Sequence, residues 1–168
     1  MSDRLTKNAA GIPVFQFVAW SGTGKTTFLE KLIRELKARG LRVCAYKHDG
    51  HEFEIDTPGK DSWRMTQAGA DVTVLSSAGK AVILENRFVD PGDLIDRITD
   101  VDLILVEGWK AGPWPRIALR REANGKDFPA DPSGCLAVIT DTPCAEARRS
   151  FGFDETAAVA DLLGEYLQ

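Results

Sequence analysis

Residues 13–27, PVFQFVAWSGTGKTT, set our first expectation about the structure of this chain. They begin with an apolar run of strand length, 14–19, which stops at a turn with the sequence SGTG at positions 21–24. A lysine and two threonines follow at once, and apolar residues then recur at helical spacing up to Gly40. A buried strand, a glycine-rich turn, a lysine with a hydroxyl residue and a helix are the context in which a phosphate-binding loop occurs.

Each residue type in this loop has a defined task around a bound phosphate. Gly22 and Gly24 let backbone N–H groups turn inward around an anion, and the N-terminus of the helix adds the positive end of its dipole. Lys25 is the expected catalytic cation, reaching the β- and γ-phosphates, and Thr26 is the expected Mg²⁺ ligand. We therefore predict a nucleotide-binding segment made of Ser21, Gly22, Thr23, Gly24, Lys25, Thr26 and Thr27.

Composition restricts the class of protein. A chain of 168 residues is long enough to close a core without disulfides or metals, so we expect a single nucleotide-binding domain over residues 1–168. The net charge of −4 argues against nucleic acid and against a polybasic attachment to a membrane. No stretch reaches the about eighteen apolar residues that span a bilayer, and residues 1–11 lack the apolar part of a signal peptide, so we expect a cytoplasmic protein.

The order of the predicted elements indicates an α/β fold of the P-loop NTPase type, with a mostly parallel, doubly wound sheet and flanking helices. Strands are expected at 41–47, 72–76, 80–85, 102–107, 116–121 and 136–139, in addition to 14–19. The pair at 72–76 and 80–85 is read as a hairpin or as adjacent strands by which the sheet grows. Helices are expected at 61–70, 90–98 and 155–167, in addition to the one that follows the loop.

Acidic residues at the ends of strands are the candidates for holding Mg²⁺. Glu107 ends a continuous apolar strand of the kind that is buried in a parallel sheet, which places it beside the loop. Asp102 starts the same strand, at the edge opposite the loop, and is read as structural. The polar segment 48–60 is either a solvated acidic loop or the source of a further Mg²⁺-contacting carboxylate, for which Asp56 is the candidate.

Other polar and aromatic positions carry weaker signals. His48 and His51 lack an identifiable third ligand, and three cysteines without Cys-x-x-Cys spacing suggest neither a disulfide framework nor a zinc site. Trp109 and Trp114 either bind a flat, phosphorylated ligand or a partner, or cap the core. Asp141, after the last apolar strand, is our candidate acceptor for the guanine N1–H and N2–H groups.

Together, these motifs resemble the molybdopterin-guanine dinucleotide biosynthesis protein B family, with similarity over residues 14–141. The motifs that carry the resemblance are Ser21-Gly22-Thr23-Gly24-Lys25-Thr26-Thr27, Tyr46-Lys47-His48, Asp56-Thr57-Pro58-Gly59-Lys60-Asp61-Ser62-Trp63-Arg64, Ala68-Gly69-Ala70 and Val106-Glu107-Gly108-Trp109-Lys110. The chain departs from the usual pattern at Ala19, which stands at the first glycine position of the loop. It also departs at 48–51, HDGH, where relatives often carry a further histidine.

The resemblance implies a GTP-binding protein, usually a homodimer, that uses Mg²⁺ and hydrolyses GTP weakly. It also implies a partner, the guanylyltransferase that joins GMP to molybdenum-bound molybdopterin, and an assisting role in that step. The sequence shows no glutamine or arginine in a known position to orient the attacking water, which favours slow turnover and the role of a nucleotide-dependent adapter.

Two other functional classes use the same phosphate loop. A small-molecule kinase would need an acceptor pocket and a mobile arginine lid, for which Arg116, Arg120 and Arg121 are the candidates. A metal-insertion GTPase of the nickel type would carry a cluster of Cys or His ligands and a clear guanine motif, neither of which is evident in the sequence.

Overall fold

The computed structural model describes residues 6–167, which form two compact units. The first unit comprises residues up to His48 and from Gly92 onward, and the second comprises Asp49–Pro91. The predicted single domain, 1–168, includes residues 1–5 and 168, which lie outside the described part, and it stays a prediction.

Helices and strands alternate in the first part of the chain, and four strands follow one another before the last helix. They are β1 (Val14–Ala19), α1 (Lys25–Ala38), β2 (Val43–Lys47), α2 (Asp61–Gln67), β3 (Val72–Ser76), β4 (Ala81–Glu85), α3 (Pro91–Asp96), β5 (Leu103–Glu107), β6 (Arg116–Arg120), β7 (Ala137–Thr140), β8 (Ser150–Phe151) and α4 (Thr156–Gly164). Within residues 6–167, no helix is both long enough and apolar enough to cross a membrane.

The first unit is built on a six-stranded sheet with the order β2-β5-β1-β6-β7-β8. Every neighbouring pair in it is parallel, which confirms the predicted α/β fold with a mostly parallel sheet. Strand β1 lies in the middle, with β5 on one side and β6 on the other. Strands β2 and β5 lie on one side of β1, and β6, β7 and β8 lie on the other, so the chain changes direction across the sheet at β1. Ligands of open α/β sheets bind at such a reversal, at the carboxyl ends of the strands.

Apolar packing holds the central strands and α1 in place. All six residues of β1 are buried, because both faces of this strand are covered. Helix α1 places Phe28, Leu29, Leu32 and Leu36 in the core that it shares with α4, at the spacing of one helical face. Full burial of a side chain such as Leu32 stabilises the fold by about 1.5–3 kcal/mol. The position of the loop between β1 and α1 is therefore determined at both of its ends.

The second unit contains a separate antiparallel sheet of β3 and β4. This confirms the hairpin reading of the two segments, but the expectation that they extend the main sheet is wrong. Most of the apolar side chains on these strands are exposed, including Val74 and Ile83. Helix α2 packs beside β3, where the hydroxyl groups of Thr66 and Thr73 are 2.8 Å apart.

Candidate functional site

The loop between β1 and α1 owes its shape to two glycines. Gly22 has φ 78° and Gly24 has φ 91°, both in the left-handed region that residues with a Cβ rarely adopt. Gly24 is also the N-cap residue that precedes α1, and no side chain caps that end of the helix. Ala19 is the last residue of β1 and is buried, so the strand accommodates a Cβ where the loop pattern has its first glycine.

Most backbone N–H groups of this loop and of the first turn of α1 have no protein partner in the described part of the chain. Within residues 6–167, the N–H groups of Gly22, Gly24, Lys25, Thr26 and Thr27 form no hydrogen bond to a protein acceptor. The first helical hydrogen bond runs from the N–H of Phe28 to the Gly24 oxygen, at 2.9 Å. Unpaired N–H groups at the start of a helix, together with its dipole, favour binding of an anion.

Glu107 lies beside this loop because of the register between β1 and β5. Phe17 of β1 pairs with Glu107 of β5, so the carboxylate is at the same edge of the sheet as the loop. Its Oε1 atom is 3.1 Å from Nζ of Lys25 and accepts a hydrogen bond of 3.0 Å from the hydroxyl of Thr26. The structure thus brings three of the predicted site residues, Lys25, Thr26 and Glu107, into direct contact.

This cluster has the chemistry that Mg²⁺ requires. The Thr26 hydroxyl and the Glu107 carboxylate are hard oxygen ligands in mutual contact, and Mg²⁺ in nucleotide sites takes one or two such ligands besides waters and phosphate oxygens. The side chains of Lys25 and Glu107 are each 16% exposed, so their charges are only partly screened by water. Thr26 and Glu107 therefore fit the metal, and Lys25 fits the phosphates, of a metal–phosphate complex.

Gly108 explains how β2 and β5 come close together beside the cluster. It has φ 92°, and a Cβ at this position would clash with the backbone oxygen of His48, which follows β2. The backbone N–H of His48 in turn donates to the backbone oxygen of Glu107 at 2.8 Å. The glycine after the acidic residue is thus required by the backbone packing that holds Glu107 in place.

The opposite side of the loop is held by residues that the sequence did not identify as contacting it. Nε of Arg121 donates to the backbone oxygen of Thr23 at 3.2 Å. Nδ2 of Asn124 donates to the Thr23 hydroxyl oxygen, Oγ1, at 2.9 Å and to the backbone oxygen of Ser21 at 3.4 Å. Arg121 follows β6, the other neighbour of β1. Contacts to backbone oxygens leave no motif in the sequence, so only the adjacency of β1 and β6 reveals them.

Asp141 follows β7 and is already engaged by this same segment. Its Oδ1 accepts the N–H of Glu122 at 2.9 Å, and its Oδ2 is 3.8 Å from Nη1 of Arg121. Asp141 is therefore connected to the loop through Arg121. Its predicted contact with guanine stays a prediction.

Asp56 belongs to the second unit and lines a cavity there of about 470 Å³, together with Ile55, Leu75 and Leu84. Oδ1 of Asp56 accepts the N–H of Thr57 at 2.8 Å. Oδ2 is buried and has no hydrogen-bond partner within residues 6–167. Its predicted role toward Mg²⁺ stays a prediction.

Trp109 and Trp114 belong to the core, as the second of the two readings of their sequence proposed. Trp114 is 6% exposed, Trp109 packs against the same apolar cluster, and the two rings meet edge to face at 5.2 Å. The tryptophan within the loop, Trp20, is exposed instead. Nζ of Lys110 is 4.4 Å from the centre of its ring, so this indole carries a cation above it.

The remaining candidate ligands do not form a metal site in the described structure. Within residues 6–167, no group of three or more His, Cys, Asp or Glu side chains is close enough to hold a metal ion. Cys44 and Cys135 are free thiols, and burial raises the pKa of both, which keeps them in the protonated form.

Comparison with known proteins finds relatives that match most of this chain. The sequence profile of the family described as molybdopterin guanine dinucleotide synthesis protein B (MobB) matches residues 14–141. The molybdopterin-guanine dinucleotide biosynthesis adapter protein of Haemophilus influenzae is 38% identical over 160 residues, which cover 93% of this chain and 90% of the relative. The protein of the same name from Escherichia coli is 36% identical over 166 residues, 94% of each chain.

Solved structures show the same fold. The crystal structure of Bacillus subtilis MobB superposes with a TM-score of 0.73 at 29% identity, covering 94% of this chain and 99% of that one. A second crystal structure, of a molybdopterin-guanine biosynthesis protein B, gives a TM-score of 0.70 at 26% identity over 92% and 98% of the two chains. The agreement of sequence and fold over nearly the whole length shows that this chain belongs to the MobB family.

Proposed function

We propose that this protein binds GTP with Mg²⁺ at the loop 19–27 and acts as a nucleotide-dependent adapter in the synthesis of molybdopterin guanine dinucleotide. The observation that carries the proposal is the group of unpaired N–H groups at the start of α1, beside Lys25 and Glu107. Two relatives that match more than nine-tenths of this chain are named adapter proteins of that biosynthesis. Their names suggest the process, and the loop suggests the ligand.

The residues of the site divide the work of holding a triphosphate. The N–H groups of the loop bind phosphate oxygens, and the Lys25 ammonium, now paired with Glu107, turns toward the β- and γ-phosphates. Thr26 and Glu107 would hold Mg²⁺, which neutralises charge that develops on the phosphates. Arg121 and Asn124 donate to backbone oxygens of the loop, and the sequence shows no glutamine or arginine in a known position to orient the attacking water, so we propose that hydrolysis is slow.

The choice of base falls to Asp141 in this proposal. A carboxylate has about four acceptor positions, and the N–H of Glu122 uses one of them, so capacity remains for the guanine N1–H and N2–H groups. We further propose that the protein works as a homodimer, with a molybdenum cofactor guanylyltransferase and its molybdopterin substrate as partners.

The positions of three arginines favour this proposal over the kinase alternative. The three arginines that it would need on a mobile lid lie on or directly after β6 and donate to ordered groups: Arg116 to the Gly112 oxygen, Arg120 to the hydroxyl of Thr142 and Arg121 to the Thr23 oxygen. Side chains that are tied in this way are poorly suited to closing over an acceptor.

Calorimetric titration of the full chain with GTP and ATP, each with and without Mg²⁺, tests the proposal. We expect uptake of one GTP per chain, tighter with Mg²⁺, and weaker uptake of ATP that becomes equal to GTP in Asp141→Ala. Single-turnover hydrolysis is expected to be slower than one turnover per second. Binding of neither nucleotide would refute the proposal, and many turnovers per second without a partner would refute the adapter role.

A further inference from the structure

Two peptide groups of the phosphate loop are held through their oxygen atoms from the β6 side. Nε of Arg121 donates to the Thr23 oxygen at 3.2 Å, and Nδ2 of Asn124 donates to the Ser21 oxygen at 3.4 Å. Asn124 also donates to Thr23 Oγ1 at 2.9 Å, and this hydroxyl donates to the Trp20 oxygen at 2.9 Å. Thr23 is only 2% exposed, so its bonds to Arg121, Asn124 and Trp20 are partly shielded from competing water, whereas the bond to the Ser21 oxygen is exposed.

Because the peptide group is planar, these contacts to the oxygens also determine the direction of the N–H groups of Gly22 and Gly24. In a trans peptide, the C=O of one residue and the N–H of the next point in opposite directions, and the described chain has no cis peptide bond. The Ser21 oxygen and the Gly22 N–H belong to one peptide group, and the Thr23 oxygen and the Gly24 N–H belong to another. Holding the two oxygens toward β6 therefore aims both N–H groups away from it.

Segment 121–124, which we call the clamp, is itself held in place. The guanidinium carbon of Arg121 lies 3.9 Å from the centre of the Phe153 ring, and its Nη1 is 3.8 Å from Asp141. Asp141 also accepts the Glu122 N–H at 2.9 Å, and the Asn124 N–H bonds to the Arg121 oxygen at 3.0 Å. The clamp is therefore a rigid turn that presents two donors to the loop.

We propose that the clamp is a built-in positioning device that holds the loop in its anion-binding conformation before a nucleotide arrives. Arg121 and Asn124 are then positioning residues, which act on the ligand through the Gly22 and Gly24 N–H groups. This inference rests on the proposed function, because it assumes that the loop 19–27 binds a nucleotide. Its physical basis is preorganisation: glycines lose the most conformational freedom when they are ordered, so a loop ordered in advance binds more tightly.

The inference predicts a characteristic pattern of binding. An effect on loop geometry weakens every ligand of the loop by the same factor, whatever its base or number of phosphates. A direct contact with one phosphate or with the base would instead change the ratio between ligands. A general loss of stability would lower the melting temperature and would not be confined to the loop.

The experiment compares full-length Arg121→Ala, Asn124→Ala and Arg121→Lys with the control Arg34→Ala, which removes the same charge from the exposed face of α1. GTP and GDP are titrated into each variant with Mg²⁺ present. We expect about tenfold weaker binding of both nucleotides in the two alanine variants, with an unchanged GTP-to-GDP ratio. Arg121→Lys should recover part of the loss, because its ammonium can still donate to Thr23, and Arg34→Ala should behave as wild type.

A second readout needs no nucleotide. ¹⁵N relaxation of the nucleotide-free protein should show greater mobility at Gly22 and Gly24 in both alanine variants, with the rest of α1 unchanged. Asn124→Ala leaves the contact of Arg121 with Phe153 intact, so it tests the clamp even if Arg121→Ala fails to fold. Unchanged affinity and mobility, or a loss confined to GTP, would overturn the inference. Failure of wild type to bind either nucleotide would refute the proposed function, whereas the relaxation result would still decide whether the clamp orders the loop.

Discussion

At the amino end of the sheet, both polar atoms of the Asn8 side-chain amide form hydrogen bonds with backbone groups. Its Nδ2 donates to the oxygens of Ile95 and Ile98, both at 2.9 Å, and its Oδ1 accepts the N–H groups of Ala10 and Ile12. At the carboxyl end, the N–H groups of residues 22 and 24–27 have no acceptor within the described chain. Because backbone N–H groups are normally paired, the end that keeps these donors unpaired is the end at which we propose that the ligand binds.

Strand β5 shows the same contrast with two carboxylates. Asp102, just before the strand, accepts the backbone N–H of Arg42 at 2.6 Å and lies 3.4 Å from its guanidinium. Glu107, at the other end, contacts a lysine and a threonine that belong to the loop. We therefore expect mutations at the amino end to change stability and those at the carboxyl end to change ligand binding.

The strongest challenge to that division is Gly108→Ala, at the carboxyl end, where we expect a loss of stability. The new Cβ would clash with the His48 oxygen at a φ of 92°, at a cost of about 3 kcal/mol. Denaturant unfolding measures this loss in the free energy of unfolding. In the control, Gly134→Ala, the Cβ meets no atom within 4 Å, and we expect a change within about 0.5 kcal/mol. Equal stability of the two variants would show that the close approach at Gly108 is unimportant.

Lys25→Ala should produce the largest effect on binding. We expect GTP to bind about a hundredfold more weakly, about 2.7 kcal/mol, because the ammonium acts on the phosphates and not on the core. Lys31→Ala is the matched control, since that lysine lies on α1 and pairs with the exposed Asp154. Titration of both variants with GTP and Mg²⁺ makes the comparison, and an unchanged affinity in Lys25→Ala would contradict the site.

Asn8→Ala sharpens the comparison from the amino end. It leaves four backbone groups without their side-chain partner, and we expect a loss of about 2 kcal/mol in the free energy of unfolding. GTP affinity should stay at the wild-type value. Asn86→Ala, which removes one exposed bond to the Ala70 oxygen, should cost about 0.5 kcal/mol. A change in GTP affinity in Asn8→Ala would break the separation of the two ends.

Glu107→Gln separates the metal from the phosphates. The amide keeps the volume of the carboxylate but lacks its charge, so we expect the gain in GTP affinity on adding Mg²⁺ to shrink about tenfold. Binding without Mg²⁺ should not weaken, because the amide neither pairs with the Lys25 ammonium as an ion nor repels the phosphates. Glu30→Gln, on the exposed face of α1, is the control for the loss of one negative charge. A Mg²⁺ effect of wild-type size in Glu107→Gln would exclude Glu107 as a metal ligand.

The smallest effect is expected from Asp102→Asn. The backbone N–H and the guanidinium of Arg42 hold the pKa of Asp102 below its ordinary value of 3.8. A carboxylate with a lowered pKa stabilises the fold above its unfolded pKa, and this contribution is lost as the pH falls through the folded value. Wild type should thus be slightly more stable than Asp102→Asn at pH 7, and the difference should shrink below about pH 4. A difference that grows on acidification would contradict this account, and GTP affinity should not change.

The glycine-rich loop before α1 and the position of Glu107 at the end of a strand could be predicted without the structure because their signals are local. The loop is one continuous motif between a strand and a helix, and Glu107 ends an apolar run that can only be a buried strand. The bounds of β1 and β3 were predicted to the residue, whereas α2 ends at Gln67 and not at Ala70. Strand β8 was missed because two residues, Ser150–Phe151, carry no periodicity.

Contacts between distant segments had no such signal. Arg121 and Asn124 reach the loop because β6 pairs with β1, although about a hundred residues separate the partners along the chain. The hairpin of β3 and β4 was recognised, but its apolar residues were expected in the main sheet, since alternation does not say which surface a strand faces.

Order along the chain was therefore enough to specify an α/β fold, a glycine-rich loop between a strand and a helix, and an acidic residue at the end of a strand. The packing of β1 between β5 and β6 was needed to show that Glu107 touches Lys25 and Thr26 on one side while Arg121 and Asn124 hold the loop on the other. The physical reason is that motifs and periodicity describe neighbours in the chain, whereas strand order is set by the burial of whole faces of the sheet.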